Sequence, residues 1–425
     1  MIATQQVENI KHNPFLNVAV NIAKYLAKEA IWSDQGSCNW QGKALEALGN
    51  ENVIVNRTFK SDIYTGLSGI ALFLAEIQLK ENDPILQATL TGAVKTILLQ
   101  CENSPLACKF GLYAGQLGVG FALWRIGILN DNPQWQQQGL NIIRKLKDHE
   151  INENEIDVIT GAAGAIPALL KIYQAEQENI FLEIAIKCGQ FLIKTADKKN
   201  DCWIWKGLFP DGLTGFSHGN SGIALALLAL YHNTKDQQYY QAAVMGFAFE
   251  DKHFLPQQNN WPDLREPVNN ETNARICGNM WCHGAPGIAL SRLRAYQITS
   301  QDGHLQQAHT ALQTTYNHLL NQLKNPQLDN FSLCHGLAGN ADILLSASLL
   351  LKDNNYFNIA QQVGLIGIEL YEKTGTMWPS GVNDPSGMTS GGEETPGLML
   401  GLAGTGLFYL RLAFPTEINS VLLID

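Results

Sequence analysis

Two short stretches carry residues suited to chemistry. Trp281-Cys282-His283-Gly284-Ala285-Pro286-Gly287 sets a cysteine and a histidine before a glycine, and Cys334-His335-Gly336-Leu337-Ala338-Gly339 repeats the arrangement. Soft sulfur ligands and imidazoles in matching positions of separate segments are how a chain assembles a zinc site. If Cys282, His283, Cys334 and His335 all bound, the site would be closed and structural. Three protein ligands would leave an exchangeable fourth position, the arrangement of catalytic zinc.

The matching positions belong to a repeat. A Gly-x-x-Gly pair recurs seven times, with first glycines Gly66, Gly115, Gly161, Gly219, Gly284, Gly336 and Gly401, and each pair is followed by an apolar stretch. The spacings run from 46 residues (Gly115 to Gly161) to 65 (Gly219 to Gly284), room for two helices and two connections per unit. Aligned on the first glycine, the preceding residue is Thr65, Ala114, Thr160, His218, His283, His335 and Leu400. Two before it stand Tyr64, Tyr113, Ile159, Ser217, Cys282, Cys334 and Met399, so both cysteines share one slot. Asp62 and Asp157 share the slot four before the glycine.

These residues must be positioned by helices. Segments such as Ile70 to Ile77, Ile223 to Leu230 and Gly406 to Leu412 are too long and too rich in Ala and Leu for strands, and a helix apolar on nearly all sides is a buried one. The intervening segments, for example Pro133 to Lys147 and His304 to Leu323, are amphipathic and suit an outer layer. The predicted fold is all-α, an α/α toroid of seven helical hairpins in which equivalent slots converge on one mouth. Each glycine pair opens an inner helix, where unpaired N–H groups and the positive dipole end would favour thiolates and a developing enolate.

Before the first repeat, Asn13 to Trp32 reads as a helix with Asn13 as cap and Pro14 at the first helical position, covering that repeat. Ser33 to Lys60 is polar and irregular and is read as a connection. The expected organisation is an N-terminal helix and connection over 1–60, the toroid over 61–415 and a tail over 416–425. A chain of 425 residues exceeds the usual single-core limit, but a ring of repeats grows by adding neighbours and need not split.

A net charge of −10 and a pI near 5.5 argue against nucleic acid or anionic lipid as partners. No apolar run reaches the roughly 20 residues of a membrane span, and the polar start Met1-Ile-Ala-Thr-Gln-Gln lacks a signal-peptide pattern. A cytoplasmic location is expected. There the eight cysteines would stay reduced, which favours metal or catalytic use over disulfides. Most of those outside the two short stretches read as structural: Cys188 lies on the apolar stripe Phe181, Ile184, Cys188, Phe191, Leu192 and reads as core.

The segment Trp281 to Leu290, Cys334-His335-Gly336 and Gly215-Phe216-Ser217-His218-Gly219 resemble the signatures of the lanthionine synthetase C-like cyclases, over roughly residues 60 to 412 and all seven repeats. Asp157-Val-Ile-Thr-Gly161-Ala-Ala-Gly164 and Pro396 to Gly404 are similar to the cyclase half of class II lanthipeptide (lantibiotic) synthetases, whose dehydratase half has no counterpart in this chain. The resemblance implies one zinc ion per chain, held by Cys282, Cys334 and His335. It implies addition of a peptide cysteine to a dehydroalanine or dehydrobutyrine, which forms a (methyl)lanthionine thioether. A free thiol is only a few per cent ionised at neutral pH, whereas coordination to zinc deprotonates it.

The resemblance also makes His218 the acid or base that protonates the α-carbon after attack. Asp157 would orient or ionise His218 or take the thiol proton; its other reading is a helix cap, which the matching Asp62 favours. Stand-alone family members often carry an arginine four residues before the first zinc cysteine. Here that position is Gly278, and Arg275 is the nearest candidate substrate contact, with Trp281 and His283 beside it. Peptide contacts are expected on two insertions, Asp251 to Met280 with Trp261, Pro262 and Arg265, and Gly375 to Pro396 with Trp378. The implied partners are a dehydrated precursor peptide and a separate dehydratase. The alternatives are a zinc-stabilised toroid that binds peptides or thiols without catalysis, and addition of glutathione to dehydroamino acids in other substrates.

Overall fold

The computed structural model describes residues 13–48, 51–265, 275–382 and 391–424. The polar start and parts of both insertions lie outside them.

Among the described residues there are fourteen α-helices in chain order. The even-numbered ones are the apolar segments after the glycine pairs: α2 (Leu67–Gln78), α4 (Gln116–Leu129), α6 (Ala162–Glu176), α8 (Asn220–Thr234), α10 (Ala285–Thr299), α12 (Leu337–Leu351) and α14 (Leu402–Ala413). The odd-numbered ones are amphipathic: α1 (Pro14–Lys28), α3 (Pro84–Asn103), α5 (Pro133–Arg144), α7 (Asn179–Thr195), α9 (Gln237–His253), α11 (Asp302–Gln322) and α13 (Asn354–Gly367). In α2, every residue from Leu67 to Ile77 is buried, as expected of a helix apolar all round.

The helices fall into two compact units. The first comprises Met1–Ser104, Arg125–Pro133 and Leu319–Val421. In it α12, α14 and α2 lie in sequence, α12 against α14 and α14 against α2, backed respectively by α13, α1 and α3. The second comprises Pro105–Trp124, Gln134–His318 and Leu422–Asp425. There α6 packs on α8 and α8 on α10, with α7 and α9 behind α6 and α8.

Helix α1 starts where the sequence predicts: Asn13 Oδ1 accepts from the backbone N–H of Phe15 (3.0 Å) and Leu16 (3.4 Å). It packs chiefly on α14, the last helix, and so supplies the amphipathic partner of the seventh hairpin while also touching α2 and α3 of the first repeat. The expected irregular connection is also corrected. Gln41–Leu48 and Glu51–Thr58 form an antiparallel hairpin, and Ile31–Trp32 pairs with Cys38–Asn39. The β-branched run in Glu51–Thr58 carries the strand signal. The segment beyond the repeats buries Ile418 and Leu422. Arg411 on α14 ties it down, because the guanidinium pairs with buried Asp342 of α12 and Nε donates to the Ile418 carbonyl (3.1 Å).

The two insertions place their named tryptophans inward. Trp261 is fully buried and its indole N–H donates to the Glu250 carbonyl (3.1 Å), and Trp378 packs edge-on against Phe331 and Tyr409. Neither ring is available to a peptide. Arg265 pairs with Asp263 (2.6 Å), Glu393 with Lys43 (2.7 Å), and Glu394 accepts from the Trp378 N–H (3.0 Å).

Candidate metal and proton-transfer site

The loop before each apolar helix folds back over that helix's first turn, and the glycines make this possible. A Cβ on the second glycine of the pair would meet a carbonyl oxygen six residues upstream. The separation would be 2.2 Å at Gly69, 2.0 Å at Gly164, 2.1 Å at Gly222, 2.0 Å at Gly287 and 1.9 Å at Gly339 and Gly404. The fold-back consumes the donors that the sequence reading left unpaired. The first helical N–H bonds the carbonyl seven residues earlier at Leu67 (2.8 Å), Ala162 (2.9 Å), Asn220 (2.8 Å), Leu337 (3.0 Å) and Leu402 (2.8 Å). At these five helices the first donor is therefore already paired, and Ala285 N is paired with Asn260 Oδ1 (2.8 Å).

The loops are also bonded to one another, and the bonds run through the slot that holds both cysteines. In the second unit Tyr113 N donates to Ile159 O (3.1 Å), Val158 N to Ser217 O (3.0 Å) and Ser217 N to Cys282 O (3.3 Å). In the first unit Cys334 N donates to Met399 O (2.9 Å) and Met399 N to Tyr64 O (2.8 Å). Slot residues far apart in sequence are thus neighbours by backbone pairing.

Cys334 and His335 are consecutive in the first unit and Cys282 stands in the matching slot of the second, with both cysteines buried and the histidine half-buried. The donor set suits zinc, two thiols and one imidazole. His335 Nε2 lies 2.9 Å from the Gly381 carbonyl; as donor to it, the ring keeps Nδ1 as its lone-pair nitrogen. Gly381 is small by necessity, since a Cβ there would meet His335 Nε2 at 2.8 Å and Ser332 Oγ at 2.7 Å. Tyr64 Oη donates to Cys334 Sγ at 2.9 Å. His283 is not part of the group. It is buried, burial pushes its imidazole down to about 4, and Nδ1 stands 4.0 Å from Asp263 Oδ2.

In the second unit His218 Nδ1 donates to Asp157 Oδ2 (2.6 Å), and the His218 and His283 rings stack with centroids 6.1 Å apart. Asp157 makes two contacts at once. Its Oδ1 accepts from the Thr160 N–H (2.6 Å) and hydroxyl (3.0 Å), closing the turn, while Oδ2 faces the histidine. Asp62 closes the equivalent turn: Oδ1 accepts from Thr65 N (2.8 Å) and Gly66 N (3.1 Å).

Trp281 does not offer its ring to a ligand. It is fully buried, its N–H donates to the Leu422 carbonyl (2.9 Å), and Tyr113 packs edge-on and Phe216 tilted against it. Its place is the wall behind Cys282. Arg275 is half-buried, and its carbonyl accepts from Gln258 Nε2 (3.2 Å). Cys188 is core, as expected, and burial pushes its thiol up to about 12. Sequence reasoning missed Tyr64, Gly381 and Glu250. Tyr64 alone had a signal, its slot shared with the cysteines.

The chain belongs to the lanthionine synthetase C-like family, whose model, described as "Lanthionine synthetase C-like protein", matches residues 58–423. It is similar to the Lacticin 481/lactococcin biosynthesis protein LcnDR2 of Lactococcus lactis subsp. lactis, 25% identical over 362 residues, covering 82% of this chain and 36% of that protein. It thus spans about a third of that relative's length. The nisin biosynthesis protein NisC of the same organism is 22% identical over 343 residues (73% of this chain, 79% of that protein). Glutathione S-transferase LANCL1 of Danio rerio is 23% identical over 309 residues (68% and 70%). Among solved structures, nisin cyclase superposes with a TM-score of 0.62 at 20% identity over 85% of this chain and 90% of that one, which gives the fold as an α/α toroid. No described helix is long and apolar enough to cross a membrane.

Proposed function

We propose that the chain is a cytoplasmic cyclase that adds cysteine thiols of a dehydrated precursor peptide to its dehydroalanine and dehydrobutyrine residues, with one zinc ion held by Cys282, Cys334 and His335. The observation that carries this reading is the donor set itself, two thiols in one repeat slot and an imidazole beside the second, in a chain of this family. When bound, zinc supplies a peptide thiol in its deprotonated form at a fixed place. A C–S bond forms at the β-carbon, the alkene electron pair moves toward the carbonyl, and the α-carbon then takes a proton. His218 is the donor of that proton, and Asp157 holds its ring through Nδ1, which leaves Nε2 for the transfer. A separate dehydratase would provide the alkene.

The test gives purified protein a dehydrated precursor peptide and counts thiols lost to alkylation-resistant rings against a no-enzyme control, with metal content measured by elemental analysis. Stoichiometric zinc and accelerated ring closure are expected; a metal-free protein matching the uncatalysed rate would refute the reading. The likeness to a protein named as a glutathione S-transferase favours a second reading, glutathione as the thiol. The same assay with glutathione and a dehydroalanine peptide separates them.

A further inference from the structure

A site built from two cysteine ligands carries a hazard, because its task is to bring an alkene electrophile up to a thiolate. Either resident sulfur could attack the β-carbon in place of the substrate thiol, leaving the protein alkylated and the metal released. Cys334 carries a feature that bears on this: the Tyr64 phenol donates to its sulfur at 2.9 Å. The bond is templated by the backbone. One residue, Met399, receives the Cys334 N–H on its carbonyl (2.9 Å) and gives its own N–H to the Tyr64 carbonyl (2.8 Å), so both side chains leave a common frame. A hydroxyl that donates to sulfur draws charge from its lone pairs and occupies one direction of attack, and such bonds strengthen when the acceptor is charged.

We propose that Tyr64 is a positioning residue that caps the Cys334 sulfur, keeping this ligand from acting as nucleophile while the peptide thiol reacts. The proposal rests on the metal reading above. Phenylalanine at this position removes the cap and keeps the ring.

The test loads wild-type and Tyr64→Phe protein with zinc, exposes both to acrylamide, a small α,β-unsaturated amide, and follows adducts at Cys334 and Cys282 by peptide mass spectrometry. Tyr64→Phe should retain one zinc, with Cys334 alkylated about tenfold faster, the scale of one hydrogen bond to a charged group, and Cys282 little changed. Zinc-loaded Tyr64→Phe with unchanged Cys334 alkylation overturns the cap alone. An equal rise at both cysteines also overturns it, because general loosening would produce that. Wild-type protein that binds no zinc overturns the metal reading and the cap with it. If Tyr64→Phe is unstable, Tyr64→Met serves as the second variant against the same criterion, the ratio of Cys334 to Cys282 adducts.

Discussion

Asp157 serves two partners with its two oxygens: Oδ1 closes the Thr160 turn at 2.6 Å and Oδ2 holds His218 Nδ1 at 2.6 Å. Asparagine can keep the first contact and lose the charge behind the second. Asp157→Asn should therefore melt within a few degrees of wild type yet close rings about 10²-fold more slowly, whereas Asp157→Ala should also lose ~1 kcal/mol of turn stability. Equal melting points for the two variants would remove the capping half of this account.

His218→Ala should retain zinc, since His218 is outside the ligand group, and slow ring closure by roughly 10²–10⁴-fold. Release of metal by this variant would make His218 a ligand and reopen the assignment of His335. Cys334→Ala should lose zinc and cyclisation together, because two remaining ligands hold the ion poorly.

Two glycine variants separate the fold from the site. At Gly339 a methyl would sit 1.9 Å from the Leu333 carbonyl oxygen, a backbone atom that cannot swing aside, so Gly339→Ala should cost several kcal/mol or fail to fold. At Gly381 the methyl meets the His335 ring and the Ser332 hydroxyl, both side chains. Gly381→Ala should keep its melting temperature and lose about 10–100-fold in zinc affinity, measured by chelator competition. Similar melting losses in both would contradict the distinction.

Glu250 gives a pH signature. Its Oε1 accepts from the Gly215 (3.1 Å) and Ser221 (2.8 Å) N–H groups, but burial dominates and pushes the carboxyl up to about 8. The folded chain then holds a proton that the unfolded chain releases near 4.5, so this group's stability contribution is greatest below that pH and declines as pH rises toward 8. Glu250→Gln should remove the decline, a difference of roughly 2–5 kcal/mol between pH 4.5 and 8.5 in denaturant unfolding. Parallel wild-type and variant curves would show that Glu250 is already ionised throughout.

The helical architecture was legible because a seven-fold glycine pair and near-continuous apolar segments leave few other solutions. Alignment on a glycine singled out Cys282, Cys334, His335, His218 and Asp157 because it compares equivalent places. Three things were not. Leucine and alanine in Gln41–Leu48 suit helix as well as strand, so the hairpin was hidden. Trp261, Trp281 and Trp378 look like ligand contacts in sequence, and only packing shows that their rings face inward. The satisfied N–H groups of the first helical turns depend on carbonyls seven residues upstream, a loop geometry that no local pattern announces.

The pairing of slot to slot is made by main-chain groups and is indifferent to what side chain each slot bears. Tyrosine, isoleucine, serine, cysteine and methionine all occupy it within this one chain. A duplicated hairpin therefore enters the protein as a ready socket, and single substitutions there can trial a new function without disturbing the fold. Asp62 and Asp157 set the two cases side by side: the same turn closed twice, with a histidine partner at Asp157.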